Sequence, residues 1–209
     1  MADVTIHGFP QSTYVRTCCM TCEEKGIGYE RRDAAPHSPE ILAYNPTGKM
    51  PGFQHGDLVL WETSAITRYL DDTFGGASLQ PQDPVARARM NCWISMVNDV
   101  VYQTMIRDIV APRFGFVEAD EAKIKAATEK LERQLKLADG ALQRSTYLAG
   151  EQLSLADLFL APIIFWLEKT PEGQTALPKY QSLGRWYAAM TARRSFQATV
   201  PPMPGRAAA

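Results

Sequence analysis

The chain has 209 residues, 45% of them apolar and 22% charged, with a formal net charge of −1. That is a globular composition for one large domain or two small ones, and it lacks the concentrated basic face that nucleic acid requires. No apolar stretch approaches the ~20 residues that cross a bilayer, and Met1-Ala2-Asp3-Val4 does not begin a secretory leader, so the expectation is a cytoplasmic protein with neither nucleic acid nor membrane as partner.

In chain order, Val4-Thr5-Ile6-His7 is a short β-branched strand stopped by Gly8-Phe9-Pro10. Ser12-Thr13 opens a helix from Tyr14 to Lys25, closed by Lys25-Gly26. A second strand is predicted from Ile27 to Arg32, and Ser38-Pro39-Glu40 starts a short helix with proline in its first turn. After the turn Asn45-Pro46-Thr47-Gly48, the segments Gly52-Phe53-Gln54 and Leu58-Val59-Leu60 flank His55-Gly56-Asp57 as a tight hairpin. From Thr63 to Phe74, Ile66, Tyr69, Leu70 and Phe74 share one helical face. The order β-α-β-α-β-β-α predicts a small mixed sheet with helices on its faces.

A Gly/Pro-rich linker follows, from Gly75 to Pro84, and beyond it strand signals vanish. Helical patterns run from Val85 to Ile109 (broken near Pro112), Ala119 to Gln143, Ser154 to Leu167 and Tyr180 to Arg193. The fold class is therefore α/β plus all-α, with a first domain over 1–78 and a helical bundle over 84–209. Residues 201–209 read as a frayed tail.

Cys18, Cys19 and Cys22 crowd into one segment, with Cys92 apart, which is not a disulfide framework. Cys19-Met20-Thr21-Cys22 spells C-x-x-C. A metal site would need a second ligand pair, and His7, His37 and His55 are scattered, so no metal is expected. A redox pair works with its first cysteine at a helix N-terminus. Here Ser12 holds that place, and the cysteines lie two turns later, predicted to pack in the core.

Three positions carry chemistry. Ser12 at the mouth of the first helix reads as an N-cap or as a hydroxyl donor to a thiolate. A free thiol has a pKa of ~8.5, and lowering it by two units takes ~2.7 kcal/mol. A hydrogen bond to a charged group supplies roughly 1.5–3 kcal/mol and a helix terminus ~0.3–2 more, so one hydroxyl suffices without a base. Met50-Pro51 reads as an ordinary trans edge proline or as a cis bond presenting the Met50 backbone to a peptide-like ligand. Glu62-Thr63 reads as a helix cap or as a clamp for an α-amino-acid end, with N–H donors and the Thr63 hydroxyl for a carboxylate and Glu62 for an ammonium. Farther on, Ser154-Leu155-Ala156-Asp157 is a capping box with Leu153 and Leu158 as a staple, and is read as structural.

Together these residues resemble the cytosolic glutathione transferases of the serine type, phi-like and bacterial. Ser12-Thr13-x-Val15 resembles their catalytic-serine segment. Asn45-Pro46-Thr47-Gly48-Lys49-Met50-Pro51 resembles the N-P-x-G-x-V-P loop, and Glu62-Thr63-Ser64-Ala65-Ile66 the E-S-x-A-I signature, with threonine for serine. Gly150 to Asp157 resembles the family's C-terminal capping motif. The resemblance implies a thioredoxin-like, glutathione-binding N-terminal domain, an all-helical C-terminal domain carrying the electrophile site, and a homodimer. It implies glutathione as co-substrate with no cofactor. Ser12 would be catalytic, with Thr13 adjacent. Met50, before a cis Pro51, would bind the cysteinyl part, Glu62 and Thr63 the γ-glutamyl end, and Lys49 and His37 the glycyl end. Phe9, Tyr14, Tyr102, Met105, Ile106 and Phe114 are the candidates for an apolar electrophile pocket. Two departures stand out: Thr17 occupies the position where members commonly carry arginine, with Arg16 one step earlier, and Met50 replaces valine.

The expected reaction is attack of the bound thiolate on a hydrophobic electrophile. Glutathione-dependent isomerisation, dehalogenation or peroxide reduction is the alternative enzyme chemistry. A non-catalytic module that binds ligands or proteins is the alternative from another class.

Overall fold

The computed structural model describes residues 3–203. These divide into two compact units, one of 3–80 together with Ala192–Met203, the other Pro81–Thr191.

In the first unit, β1 (Val4–His7), α1 (Thr13–Lys25), β2 (Tyr29–Arg32), α2 (Pro39–Leu42), β3 (Gly52–His55), β4 (Leu58–Trp61) and α3 (Thr63–Thr73) follow the expected order. The sheet order is β2-β1-β3-β4, with β1 parallel to β2 and antiparallel to β3, and β3 antiparallel to β4. This is the thioredoxin-like arrangement. The β3–β4 hairpin turns through Gly56-Asp57 in two residues, and Gly56 takes the positive φ of 56° that so tight a turn demands. Strand alternation sends Val4 and Ile6 to one face of the sheet, where Val15, Cys18 and Cys22 of α1, Phe53, and Ile66 and Leu70 of α3 complete a buried core. A buried ion pair, Lys25 Nζ to Asp71 Oδ1 at 2.9 Å, ties the end of α1 to the end of α3. Asp71 also accepts the backbone N–H groups of Leu79 and Gln80, fixing the chain where this part of the unit ends.

The second unit begins with α4 (Pro84–Met96). Its continuation Val97–Val110 is wound as a π-helix, with the Ala111 N–H bonding Ile106 O five residues back. The short α5 (Ala111–Arg113) carries Pro112. The continuous helix ends at Arg113, beside Pro112, near which the break was expected. α6 (Glu121–Leu142) packs on the π-helical segment, its Gln134 bonding Val100 O and Thr104 Oγ1. α7 (Leu155–Leu167) is buried along its whole length, which explains its apolar sequence on every face. At its start Asp157 accepts the Ser154 N–H at 2.9 Å, the reciprocal contact the capping box predicts. It also takes the Leu148 N–H and the Trp186 indole N–H, so the box organises three segments rather than one helix end. α8 (Pro171–Ala176) and α9 (Gln181–Thr191) complete the unit.

The last predicted helix, Tyr180 to Arg193, is α9, which stops at Thr191. After α9 the chain forms α10 (Arg194–Ala198), which belongs to the first unit and packs on α1. The expected second domain over 84–209 therefore ends at Thr191 among the described residues. Glu24 of α1 holds Arg193 through two bonds of 2.6 and 2.7 Å and also accepts from Ser195, while Arg16 donates to Phe196 O and Thr199 Oγ1. The tail expected to fray is held as far as Pro202, whose carbonyl accepts from Gln11 and whose neighbour Pro201 is buried. The rest of that expectation, 204–209, lies outside the described residues.

Candidate active site

Ser12 caps α1. Its Oγ accepts the Val15 N–H at 3.4 Å, and its backbone is extended at φ −67°, ψ 122°. Cap and thiolate donor are compatible roles, because a hydroxyl accepts with a lone pair and keeps its hydrogen to give away. Thr13 differs. Its Oγ1 is buried without a hydrogen-bond partner among the described residues, whereas Ser12 is only half-buried. The two adjacent hydroxyls thus point to different environments, and Ser12 is the one near solvent.

The Ser12 loop and the Met50 loop are pressed together. Gly8 has φ 141°, and a Cβ there would stand 2.5 Å from Val15 Cγ2 and 3.1 Å from Met50 Cβ, so glycine permits the approach. The Phe9 N–H then donates to the Met50 sulfur at 3.2 Å. That contact gives the methionine that replaces valine a local role. The Met50–Pro51 bond is cis. No described residue hydrogen-bonds the Met50 backbone N–H or C=O, which leaves both open to a peptide-like partner. Behind the loop, Asn45 Nδ2 donates to Pro51 O while its Oδ1 accepts from Thr47, so one buried amide holds the turn and the strand entry together.

His37 and Lys49 sit at the same edge. The His37 N–H bonds Gly48 O at 2.8 Å, and its ring covers Gly48 so closely that a Cβ there would collide with Nδ1. Both His37 and Lys49 are exposed.

Glu62 is the most informative backbone position. It has φ 70° and ψ 112°, its side chain is exposed, and it makes no capping bond to α3. A non-glycine residue held at positive φ costs of order 1–3 kcal/mol, and such residues gather at ligand sites. The simple capping alternative for Glu62 is therefore absent. Thr63, the first residue of α3, is buried, and its helix terminus lacks a side-chain cap.

The electrophile-side candidates fall on both units. Phe9 (36% exposed) and the half-buried Tyr14 belong to the first. Tyr102, Met105 and Ile106 lie on the π-helical segment of the second, a kind of helical distortion that recurs at functional sites. Tyr102 and Ile106 are half-buried, but Met105 is 1% exposed. Met105 therefore belongs to the core of the helical unit and does not present a surface to a ligand. Phe114 is half-buried, edge-on to Trp166 with centroids 5.3 Å apart.

The C-x-x-C pair is packing. Cys18, Cys19 and Cys22 are buried free thiols, and burial pushes Cys19 up to about 12, with Cys18 and Cys22 also raised well above the ordinary value. None is a thiolate near neutrality. Among the described residues no group of three His, Cys, Asp or Glu could hold a metal, and no helix is long and apolar enough to cross a membrane.

Sequence reasoning missed Arg16 as a buried anchor of the C-terminal segment and Glu24–Arg193 as its clamp. Both pair residues roughly 170 to 180 positions apart, and no local pattern marks such partners.

Residues 6–78 match the family model of the glutathione S-transferase N-terminal domain, and residues 93–194 that of the C-terminal domain. Glutathione S-transferase GstB of Escherichia coli strain K12 is 30% identical over 207 residues, covering 94% of this chain and 97% of that protein. The structure of a theta class glutathione S-transferase from Xanthomonas axonopodis pv. citri, with glutathione bound, is 31% identical with a TM-score of 0.86, covering 96% of this chain and 98% of that one. Maize glutathione S-transferase I in complex with an atrazine glutathione conjugate is 27% identical with a TM-score of 0.84, covering 95% of this chain and 96% of the other. With both family domains matched in order and full-length relatives at this identity, the chain belongs to the glutathione S-transferase family.

Proposed function

We propose that Ser12 stabilises the sulfur of bound glutathione as a thiolate, which then attacks an apolar electrophile. The chain is an enzyme, a glutathione transferase with glutathione as co-substrate. The observation that carries the Ser12 assignment is the contrast between neighbours: a half-buried Ser12 hydroxyl that donates to no group among the described residues, beside a Thr13 hydroxyl sealed in the interior. The open Met50 backbone supports its pairing with the cysteinyl part of glutathione. The positive φ of Glu62 at an uncapped helix start supports Glu62 and Thr63 as the clamp for the γ-glutamyl ammonium and carboxylate. His37 and Lys49, exposed beside each other, suit the glycyl carboxylate. On the helical unit, Tyr102 and Ile106 are the residues we assign to the electrophile. We further propose a cytoplasmic homodimer.

The proposed sequence has three steps: the clamp and the Met50 backbone hold the peptide, the glutathione thiol releases its proton to solvent as the Ser12 hydroxyl donates to the sulfur, and the thiolate forms a carbon–sulfur bond as the electrophile's leaving group departs. The chain supplies no covalent nucleophile of its own.

An aryl-halide conjugation assay tests this. Ser12→Ala is expected to lose turnover by roughly 25-fold at pH 7, the drop in thiolate fraction when the thiol pKa returns from ~6.5 to ~8.5, while remaining bound by immobilised glutathione. Thr13→Val is expected to stay within about twofold of wild type. If the two variants exchange these behaviours, the sulfur ligand is Thr13.

A further inference from the structure

Two side chains meet on the peptide group between Gly8 and Phe9. Its C=O accepts from Arg31 Nη1 at 3.0 Å, and its N–H donates to Met50 Sδ at 3.2 Å. Arg31 reaches it from β2 and Met50 from the loop that carries the cis bond, so both edges of one peptide plane are held from different segments. Arg31 is itself steadied by Asp33, to which the same nitrogen donates.

This plane is the soft point of the loop. The Gly8 N–H still bonds Arg32 O at 2.8 Å, but β1 ends at His7 and its register with β3 does not extend to the next peptide. A peptide plane rotates by turning ψ of the residue before it against φ of the residue after it. Glycine, here at φ 141°, offers that rotation little resistance. The orientation of the plane sets the course of the chain through Phe9. The Phe9 carbonyl accepts the Ser12 N–H at 3.1 Å, and the Ser12 Oγ in turn takes the Val15 N–H. Hydrogen bonds thus connect the Met50 sulfur through Phe9 to Ser12 without a gap.

We propose that Met50 and Arg31 are positioning residues for Ser12: by fixing the Gly8–Phe9 peptide, they aim the Ser12 hydroxyl at the glutathione sulfur. This rests on Ser12 as the donor to that sulfur. It gives the methionine side chain a task that valine, which has no acceptor, cannot perform, separate from the pairing of the Met50 backbone with glutathione. Met50 is neutral, so replacing it alters the thiol through position and not through charge. Arg31 is a cation whose loss also acts across space on a thiolate, so Met50 gives the primary readout.

Ultraviolet titration of the glutathione thiol bound to the full chain tests this. Met50→Leu keeps the bulk and removes the acceptor. It is expected to raise the thiol pKa by about half a unit, the order of effect one weak hydrogen bond supplies. Turnover at pH 6 should fall about threefold, with KM for glutathione within about twofold of wild type. Met50→Asn, whose oxygen stands as many bonds from Cα as the sulfur, is expected to recover at least half of the shift. In Ser12→Ala, adding Met50→Leu should leave the pKa essentially where Ser12→Ala alone puts it, because no hydroxyl is left to aim. Arg31→Met combined with Met50→Leu should shift the pKa by less than the sum of the single shifts, since both holds act on one peptide.

An unshifted pKa in Ser12→Ala would overturn the Ser12 assignment and this one with it. The positioning role alone is overturned by a raised pKa in Ser12→Ala beside an unchanged one in Met50→Leu, by equal rises in Met50→Asn and Met50→Leu, by a full Met50→Leu effect in the absence of Ser12, or by additive shifts in the double variant. Loss of glutathione binding in Met50→Leu would also overturn it, because a residue that only aims Ser12 moves the thiol pKa and not the affinity.

Discussion

At the scale of single residues, the site is marked by backbone geometry as much as by side chains. Glu62 shows this most clearly, because its positive φ is a cost that capping does not explain. Glycine adopts that conformation freely. Glu62→Gly is therefore expected to raise unfolding free energy by about 1 kcal/mol while weakening glutathione binding about tenfold, as expected for loss of an ammonium partner. Chemical denaturation and glutathione titration on the same preparation check the two effects. A variant that gains stability and keeps full affinity would remove Glu62 from the γ-glutamyl clamp. The identity of this residue was legible from the Glu62-Thr63 pattern at a helix start, but its strain was not. Backbone torsion at one position is set by the hairpin before it and the helix after it, not by the residue's own type. Ser12 and Thr13 show the same limit. Both are hydroxyl residues at one helix mouth, and only packing separates the one near solvent from the one inside.

At the scale of elements, α1 is the beam on which the site is built, and it is fastened at both ends. Its N-terminus carries Ser12. Its far end is fixed by Lys25, whose ammonium meets Asp71 and the carbonyls of Asp71 and Ala77 with both ionic side chains 2% exposed. Removing one partner of such a pair leaves a buried charge and costs about 3–5 kcal/mol. Asp71 keeps its bonds from Leu79 and Gln80, so the lower end of that range is expected for Lys25→Met, measured by urea denaturation. A loss below 1 kcal/mol would mean that the pair does not brace the helix. The helix itself was legible from Ser12 and Gly26, its two caps. The brace was not, since Lys25 reads locally as a helix-stop residue. The same holds for α10. A 3.6-residue period continues through Tyr180–Arg193 without a mark where the chain leaves one unit for the other, and the clamp that draws α10 onto α1 joins Glu24 to Arg193. The π-helical segment was also hidden, because its composition differs little from that of an α-helix.

At the scale of the whole molecule, stability should depend on pH in two acidic steps. Burial and the nearby Arg32 charge lower the pKa of His7, which stacks on Tyr44 at 3.6 Å with Nε2 buried and without a partner among the described residues. In the window below the ordinary histidine value of ~6.5, the unfolded chain binds this proton more readily than the folded one. Stability is therefore present above that value and falls as pH drops through the window. Asp71 and Glu24 give the second step. Burial raises each carboxyl, but hydrogen bonds outweigh it, from Leu79, Lys25 and Gln80 for Asp71 and from Arg193 and Ser195 for Glu24. Both pKa values lie below the ordinary carboxylate range, so their contribution is intact above ~4 and lost as pH falls further. Unfolding free energy measured from pH 8 down to pH 3 should show both declines, and His7→Phe should remove the upper one. A flat profile between pH 7 and 5 would contradict the His7 assignment. What was legible at this scale was the two-part plan, from the disappearance of strand signals after Pro84. What was not was the return of the C-terminal segment to the first unit.

The most direct measurement is the ultraviolet titration of the thiolate of glutathione bound to wild type and to Ser12→Ala. The account expects a thiol pKa about two units below the free value of ~8.5 in wild type and a return to within about half a unit of that value in the variant. Equal pKa values in the two proteins, with glutathione bound in both, would contradict the assignment of Ser12 as the group that holds the sulfur as an anion.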